Sequence, residues 1–231
     1  MSVRSLVSSV AVAALAAAAS AQSGSTFVDA QANIFGYGAS APAPGGGGGG
    51  INAVLIPLGP GTGRTITFSA GGMAGWSGST VNGPDGGNFS GTTNIPALGP
   101  ISGYSAPLSG HLVGLFIEAG DISALSAPAG ASYPDLASFT AASYSPLARQ
   151  VFFIGDGLTG TGSGITQVFN IPDSAAYLVL GIADAFGFNG AAGYYNDNVG
   201  GYEVSYNAVP TPAGAMVIGA AAAAGLRRRR R

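Results

Sequence analysis

The chain has 231 residues, of which 47% are apolar and 8% are charged, with 40 glycines, 14 prolines and no cysteine. So many apolar and aromatic residues exclude a disordered chain, and the lack of cysteine excludes disulfides, thiolate metal sites and a cysteine nucleophile. Between residues 22 and 208 two arginines oppose ten acidic residues, a formal charge of −8. We therefore expect no nucleic-acid partner, because phosphate binding needs a basic surface.

The first 21 residues have the pattern of a secretory signal peptide. Arg4 precedes an apolar run over residues 6–19, and Ala19-Ser20-Ala21 provides small residues for cleavage before Gln22. We expect a signal peptidase to remove residues 1–21, so that the mature chain begins at Gln22. The alternative is a buried alanine-rich helix.

Residues 22–208 are predicted to form one domain, since this length suits a single β-sandwich. Residues 26–34 are a candidate edge strand. They are followed by the glycine-rich loop 42–50, which contains a Pro-Ala-Pro step and six consecutive glycines. This composition suits either a flexible linker or a surface loop of the domain.

Further along, two segments alternate between apolar and polar residues, as half-buried strands do: residues 64–70 and 201–209. Short apolar runs bounded by Gly, Pro or Asp predict four more strands at residues 112–117, 150–154, 167–171 and 177–182. No capped apolar stripe of helical period lies between residues 25 and 208. The predicted fold class is all-β, an antiparallel β-sandwich, with short helices only in the N-terminal signal and the C-terminal segment.

Motifs for catalysis are weak. Residues 155–160 match a dinucleotide fingerprint by letter, but another strand pattern follows instead of a helix, so we predict a hairpin turn. His111 is the sole histidine and no nucleophile-elbow sequence accompanies it, which favours a structural role. The ten acids leave a glycosidase-type carboxylate pair formally open. We expect a chain that is not an enzyme.

Oxygen-bearing side chains are concentrated between residues 181 and 206. A predicted strand ends at Asp184, a glycine-rich loop follows to Tyr194, and Asp197 and Asn198 precede the last strand. Calcium takes six to eight oxygen ligands from carboxylates, amides and backbone carbonyls, and this loop offers all three kinds. The alternative is that Asp and Asn here only stabilise tight turns.

At these positions the chain resembles the calcium-dependent galactophilic bacterial lectins, a galactose-binding-like jelly-roll family. In that family a strand ends in an aspartate, and a loop then supplies a backbone carbonyl and two consecutive amide side chains. The matching positions are Asp184, the carbonyl of Tyr194, Asp197 and Asn198, followed by a Gly-Gly-Tyr strand start at residues 200–202. Asp197 stands where these lectins carry an amide.

The resemblance covers residues 64–206 and includes two further patches, at residues 66–72 and 108–117. It implies a fifth calcium ligand, the backbone carbonyl of Trp76, which follows the first of these patches. It also implies a jelly-roll sandwich that presents calcium to the paired hydroxyls of a sugar.

The C-terminal segment, residues 209–231, resembles the PEP-CTERM sorting signal. Pro210-Thr211-Pro212 stands where that family has Pro-Glu-Pro, and a short apolar stretch and five arginines, residues 227–231, follow. This implies transient membrane anchoring with the arginines cytoplasmic, and then removal by a sorting protease near Pro210. The alternative is an ordinary tail anchor.

Together these features predict an exported binding module of the cell envelope or extracellular space. Calcium is its expected cofactor, and a glycan or extracellular polysaccharide is its expected partner. The rival hypothesis is a non-catalytic structural protein of the envelope or matrix that has no ligand.

Overall fold

The computed structural model describes residues 21–37 and 46–210. The predicted signal peptide, except for Ala21, and residues 211–231 of the predicted sorting segment lie outside these ranges. Within them, no helix is long and apolar enough to cross a bilayer.

The strands are β1 Gln22–Asp29, β2 Ala32–Asn33, β3 Ile51–Asn52, β4 Val54–Pro57, β5 Thr65–Trp76, β6 Ser79–Asn82, β7 Thr93–Ile95, β8 Tyr104–Ala106, β9 Leu112–Ile117, β10 Ala131–Ser132, β11 Ser143–Tyr144, β12 Val151–Phe153, β13 Leu158–Gly160, β14 Ser163–Thr166, β15 Val168–Asn170, β16 Tyr177–Ile182 and β17 Val199–Val209. In the described part of the chain, four 3₁₀ turns lie in the loops: Ile34–Gly36, Leu136–Phe139, Phe186–Phe188 and Tyr195–Asp197.

Two large sheets form the sandwich, which confirms the predicted all-β class. One sheet has the order β1-β17-β5-β15-β11, with β6 beside β5. The other has the order β12-β9-β16-β2-β3, with β4 also paired to β16. Their long pairs are antiparallel, while parallel pairing is confined to contacts of one or two residues such as β2 with β16.

Strand β17 shows why alternation between apolar and polar residues predicted a strand here. Tyr202 and Val204 are buried, whereas Glu203 and Ser205 are exposed. Its partner β5 extends beyond the predicted end at residue 70, through Gly71 and Gly72, because all eleven residues of β17 pair with it. Glycine usually weakens a strand because it has no side chain to pack, but cross-strand pairing keeps this glycine pair in the sheet.

The core lies between the two sheets and is rich in aromatic rings. Phe152 of the second sheet lies 5.5 Å from Phe169 of the first, and it stacks on Phe116 at 4.9 Å. Every residue of β9 is buried, so this strand has no polar face. Burial on both faces explains why β9 and β16 are continuous apolar runs in the sequence rather than alternating ones.

His111 belongs to this core. It is 2% exposed, and the rings of Tyr104, Phe139 and Phe153 surround it at centroid distances of 5.8, 5.3 and 5.7 Å. Burial lowers its pKa to about 3. The imidazole is therefore neutral throughout the physiological pH range, and its buried Nε2 has no hydrogen-bond partner in the part of the chain described.

Replacing His111 with Phe should make the protein less sensitive to acid. Between pH 6.5 and 3 the unfolded histidine binds a proton and the folded one does not, so the free energy of unfolding falls as the pH falls. This loss approaches about 1.4 kcal/mol for each pH unit, and His111→Phe removes it while keeping an aromatic ring in the cage. Urea unfolding at pH 7 and pH 4 measures the difference. Equal pH slopes in the two proteins would contradict it.

The segment that matches a dinucleotide fingerprint leads into the β13–β14 hairpin. The carboxylate of Asp156 holds the turn, accepting hydrogen bonds from the backbone N–H of Leu158 at 2.8 Å and of Gly162 at 2.6 Å. A strand, and no helix, follows the glycines. The helix N-terminus that a pyrophosphate needs is therefore missing from this segment.

Candidate cation-binding cleft

One cleft of about 370 Å³ brings together all five residues predicted from the sequence to bind calcium. Its lining is Trp76, Ser77, Phe89, Ser90, Asp184, Ala185, Phe186, Gly187, Phe188, Tyr194, Asp197 and Asn198. The cleft lies where β5 and β16 end and β17 begins, at one end of the sandwich.

Asp184 follows β16 and is the most unusual group in the cleft, since it is a carboxylate only 3% exposed. Its Oδ1 accepts from the backbone N–H of Ala185 at 2.7 Å, and its Oδ2 accepts from Nδ2 of Asn198 at 2.7 Å. Burial raises the pKa of Asp184 to about 7 although these two hydrogen bonds lower it, and the neighbouring carboxylate of Asp197 makes a smaller contribution that also raises it. A bound cation would stabilise the ionised form that burial disfavours.

The side-chain nitrogen of Asn198 is fully used in hydrogen bonds within the protein. Its Nδ2 donates to Oδ2 of Asp184 at 2.7 Å and to the carbonyl of Ala30 at 3.0 Å, which uses both donors of the amide nitrogen. The atom left for a cation is Oδ1. Gln31 supports the same loop, because its Nε2 donates to the carbonyl of Asn198 at 3.1 Å.

Asp197 is positioned by the turn that joins β5 to β6. The backbone N–H of Gly78 donates to the carbonyl of Asp197 at 2.9 Å, and Oγ of Ser77 donates to its Oδ2 at 3.5 Å. Trp76 ends β5 immediately before this turn, with its ring buried against Phe188 at 5.2 Å. The turn therefore connects the predicted carbonyl ligand of Trp76 with the acidic loop.

Tyr194 precedes the 3₁₀ turn and has a left-handed backbone, with φ of 67°. The glycine-rich segment holds it there: its N–H donates to the carbonyl of Gly46 at 2.8 Å, and the N–H of Asn196 donates to that of Gly47 at 3.2 Å. A Cβ on Gly47 would collide with the ring of Tyr194. The glycine-rich loop was expected to be either a flexible linker or a surface loop of the domain. For its described part, residues 46–50, these contacts favour a loop of the domain.

The cleft has no cationic side chain among the residues described. Arg149 pairs with Glu118 at 3.3 Å, and Arg64 donates to backbone carbonyls such as that of Ala175 at 2.8 Å. In residues 21–37 and 46–210, no three His, Cys, Asp or Glu side chains are grouped so that they could hold a metal ion by themselves. The available oxygen donors are two carboxylates, one amide oxygen and backbone carbonyls, a set that suits calcium rather than zinc.

Sequence reasoning missed the aromatic side of the cleft. Phe186 and Phe89 line it with exposed fractions of 72% and 46%. Phe186 lies in the loop between Asp184 and Tyr194. An aromatic residue among the glycines of this loop was a signal in the sequence that could have identified it as part of the cleft. Phe89 and Ser90 come from the loop between β6 and β7, and nothing in the sequence places them beside Asp184.

In comparisons with known proteins, no family model, no curated protein and no solved structure matches this chain.

Proposed function

We propose that this chain is an exported β-sandwich binding module that holds one calcium ion in the cleft and presents it to a carbohydrate. The observation that carries the proposal is the buried carboxylate of Asp184, which has the carboxylate of Asp197 beside it and no cationic side chain from the described residues. A carboxylate in such a place is stable in its ionised form when a cation neutralises it.

The residues that would hold the ion come from three segments of the chain. The carboxylates of Asp184 and Asp197 would balance its charge, and Oδ1 of Asn198 with the carbonyls of Tyr194 and Trp76 would complete five protein ligands. Because calcium takes six to eight oxygens, one to three positions remain for water, and a pair of sugar hydroxyls needs two of them. Calcium supplies the electrostatic attraction for those hydroxyls.

The placement outside the cell rests on the two ends of the chain. The signal-peptide pattern of residues 1–21 and the resemblance of residues 209–231 to a sorting signal support export to the cell envelope or the extracellular space, with transient anchoring. Calcium is plentiful there, so a module of modest affinity would be occupied.

Calcium should raise the melting temperature of residues 22–208 at pH 8. At a concentration 100 times Kd, mass action adds about 2.7 kcal/mol, which is about 5–10 °C for a domain of this size. At pH 5.5 the rise should be smaller, since the pKa of Asp184 near 7 lets protons compete with the ion. Differential scanning calorimetry with calcium or chelator measures both.

Without metal, the raised pKa of Asp184 means that the folded chain binds this proton more tightly than the unfolded chain does. The stabilisation that this bound proton gives to the folded chain is therefore lost as the pH rises through the folded pKa near 7. Bound calcium would restore the lost stability, because it neutralises the same carboxylate. If calcium leaves the melting temperature unchanged at pH 8, the calcium site is rejected and the residues of the cleft only stabilise turns. The rival hypothesis, a structural protein without a ligand, would then replace the proposed binding module.

A further inference from the structure

The rim of the cleft is apolar although its floor is acidic. Phe186 is the most exposed large hydrophobic residue in the described ranges, at 72%, and its ring lies 5.0 Å from that of Tyr194. Phe89 is 46% exposed on the same cleft. Two exposed phenylalanines beside two carboxylates form a surface that is apolar on one side and strongly polar on the other.

We propose that this aromatic rim, Phe89 and Phe186, binds the apolar face of an uncharged sugar ring and selects it as the ligand. The inference rests on the calcium site proposed above. A pyranose has hydroxyls along its edge and carbon-bound hydrogens across one face, so it matches a cleft that offers an ion at the floor and aromatic rings at the rim. Ligand sites combine apolar walls with a few polar groups in this way.

Charge favours a neutral sugar over an acidic one. Asp184 and Asp197 equal the charge of one calcium ion, so the occupied floor carries no net charge, and neither of the two described arginines lines the cleft. Residues 22–208 carry a formal charge of −8, which repels uronic acids and sulfated sugars as they approach. A carboxylate on the ligand would gain no cationic side chain from the described residues to compensate for this repulsion.

The test compares Phe186→Ala and Phe89→Ala with Phe27→Ala, a matched control whose phenylalanine is 48% exposed on β1 and does not line the cleft. Titration calorimetry at saturating calcium would use the methyl glycosides of galactose, glucose and mannose, with galacturonate as the acidic probe. Calcium titrations on each variant separate loss of the ion from loss of the sugar.

We expect at least one neutral glycoside to bind, with an affinity about fivefold to tenfold weaker in Phe186→Ala and unchanged in Phe27→Ala. Calcium affinity should stay within about twofold of wild type in all three variants, since no phenylalanine side chain offers an oxygen ligand. Unchanged glycoside binding in both rim variants, tighter binding of galacturonate, or calcium binding without any glycoside would each overturn the inference. The absence of calcium binding would instead reject the metal site itself.

Discussion

Asp184→Asn is expected to weaken calcium binding on the order of 100-fold, because it removes a formal charge from the ion's shell at its most buried ligand. The carboxylate accepts hydrogen bonds from Ala185 and Asn198, and an asparagine in its place retains only one oxygen. The calcium-dependent rise in melting temperature should disappear. Isothermal titration at pH 8 measures the affinity, and calorimetry in chelator shows whether the variant is folded.

Two variants serve as controls for this result. Asn198→Asp loses the Nδ2 hydrogen bonds to Asp184 and Ala30. It keeps an oxygen at this position and adds a charge to the ion's shell, so it should weaken binding less than Asp184→Asn does. Asp156→Asn changes a second buried aspartate, which lies in the turn before β13 with Asp85 beside it and does not line the cleft. It should leave calcium affinity unchanged. If Asp184→Asn keeps full calcium affinity and Asp156→Asn loses it, the ion binds at Asp156 and Asp85 instead.

Gly157→Ala should be the most destabilising single substitution in the β13–β14 region, costing about 4 kcal/mol. Gly157 has φ of 87°, which side chains rarely adopt, and a Cβ there would overlap the carbonyl of Phe68 in β5. The neighbouring backbone cannot yield easily, because the N–H of Ala70 donates to the carbonyl of Asp156 at 3.0 Å. Chemical unfolding followed by fluorescence measures the loss.

Gly162→Ala is the matched control. Gly162 also has a positive φ, of 63°, but a Cβ there meets nothing within 4 Å. It should therefore cost only about 1 kcal/mol, the conformational penalty alone. Equal losses in the two variants would mean that the turn before β13 does not pack against β5.

The sequence predicted those strands in which a pattern of apolar residues extends over several positions. Strand β17 alternates, and β9 and β16 are unbroken apolar runs, so all three were predicted with accurate or nearly accurate bounds. The two-residue strands β2, β3, β10 and β11 have no period to detect, and they exist because a neighbouring strand pairs with them. The four 3₁₀ turns are likewise too short to show an apolar stripe.

The residues of the candidate site likewise differ in whether the sequence alone could group them. The side chains of Asp184, Asp197 and Asn198 lie within one short segment, so the sequence and the lectin resemblance were enough to group them. The support from Gly46 and Gly47 and the rim residue Phe89 were not predictable, since chain segments about 100 residues or more away bring them to the loop. That these groups hold calcium stays a prediction.

The order of the first sheet has a consequence for how the chain reaches its folded state. Strand β17, the last described, lies between β1 and β5, and Asn198 just before it bonds to Ala30, 168 residues earlier. Contacts between such distant segments form late and slowly, because closing a long loop costs entropy before any pairing repays it. A nascent chain that still lacks β17 would present β1 and β5 as open edges prone to aggregation. Because Asn198 lines the cleft, the cleft can be assembled only after synthesis has passed this residue, so that ion binding would report a chain complete up to the start of β17.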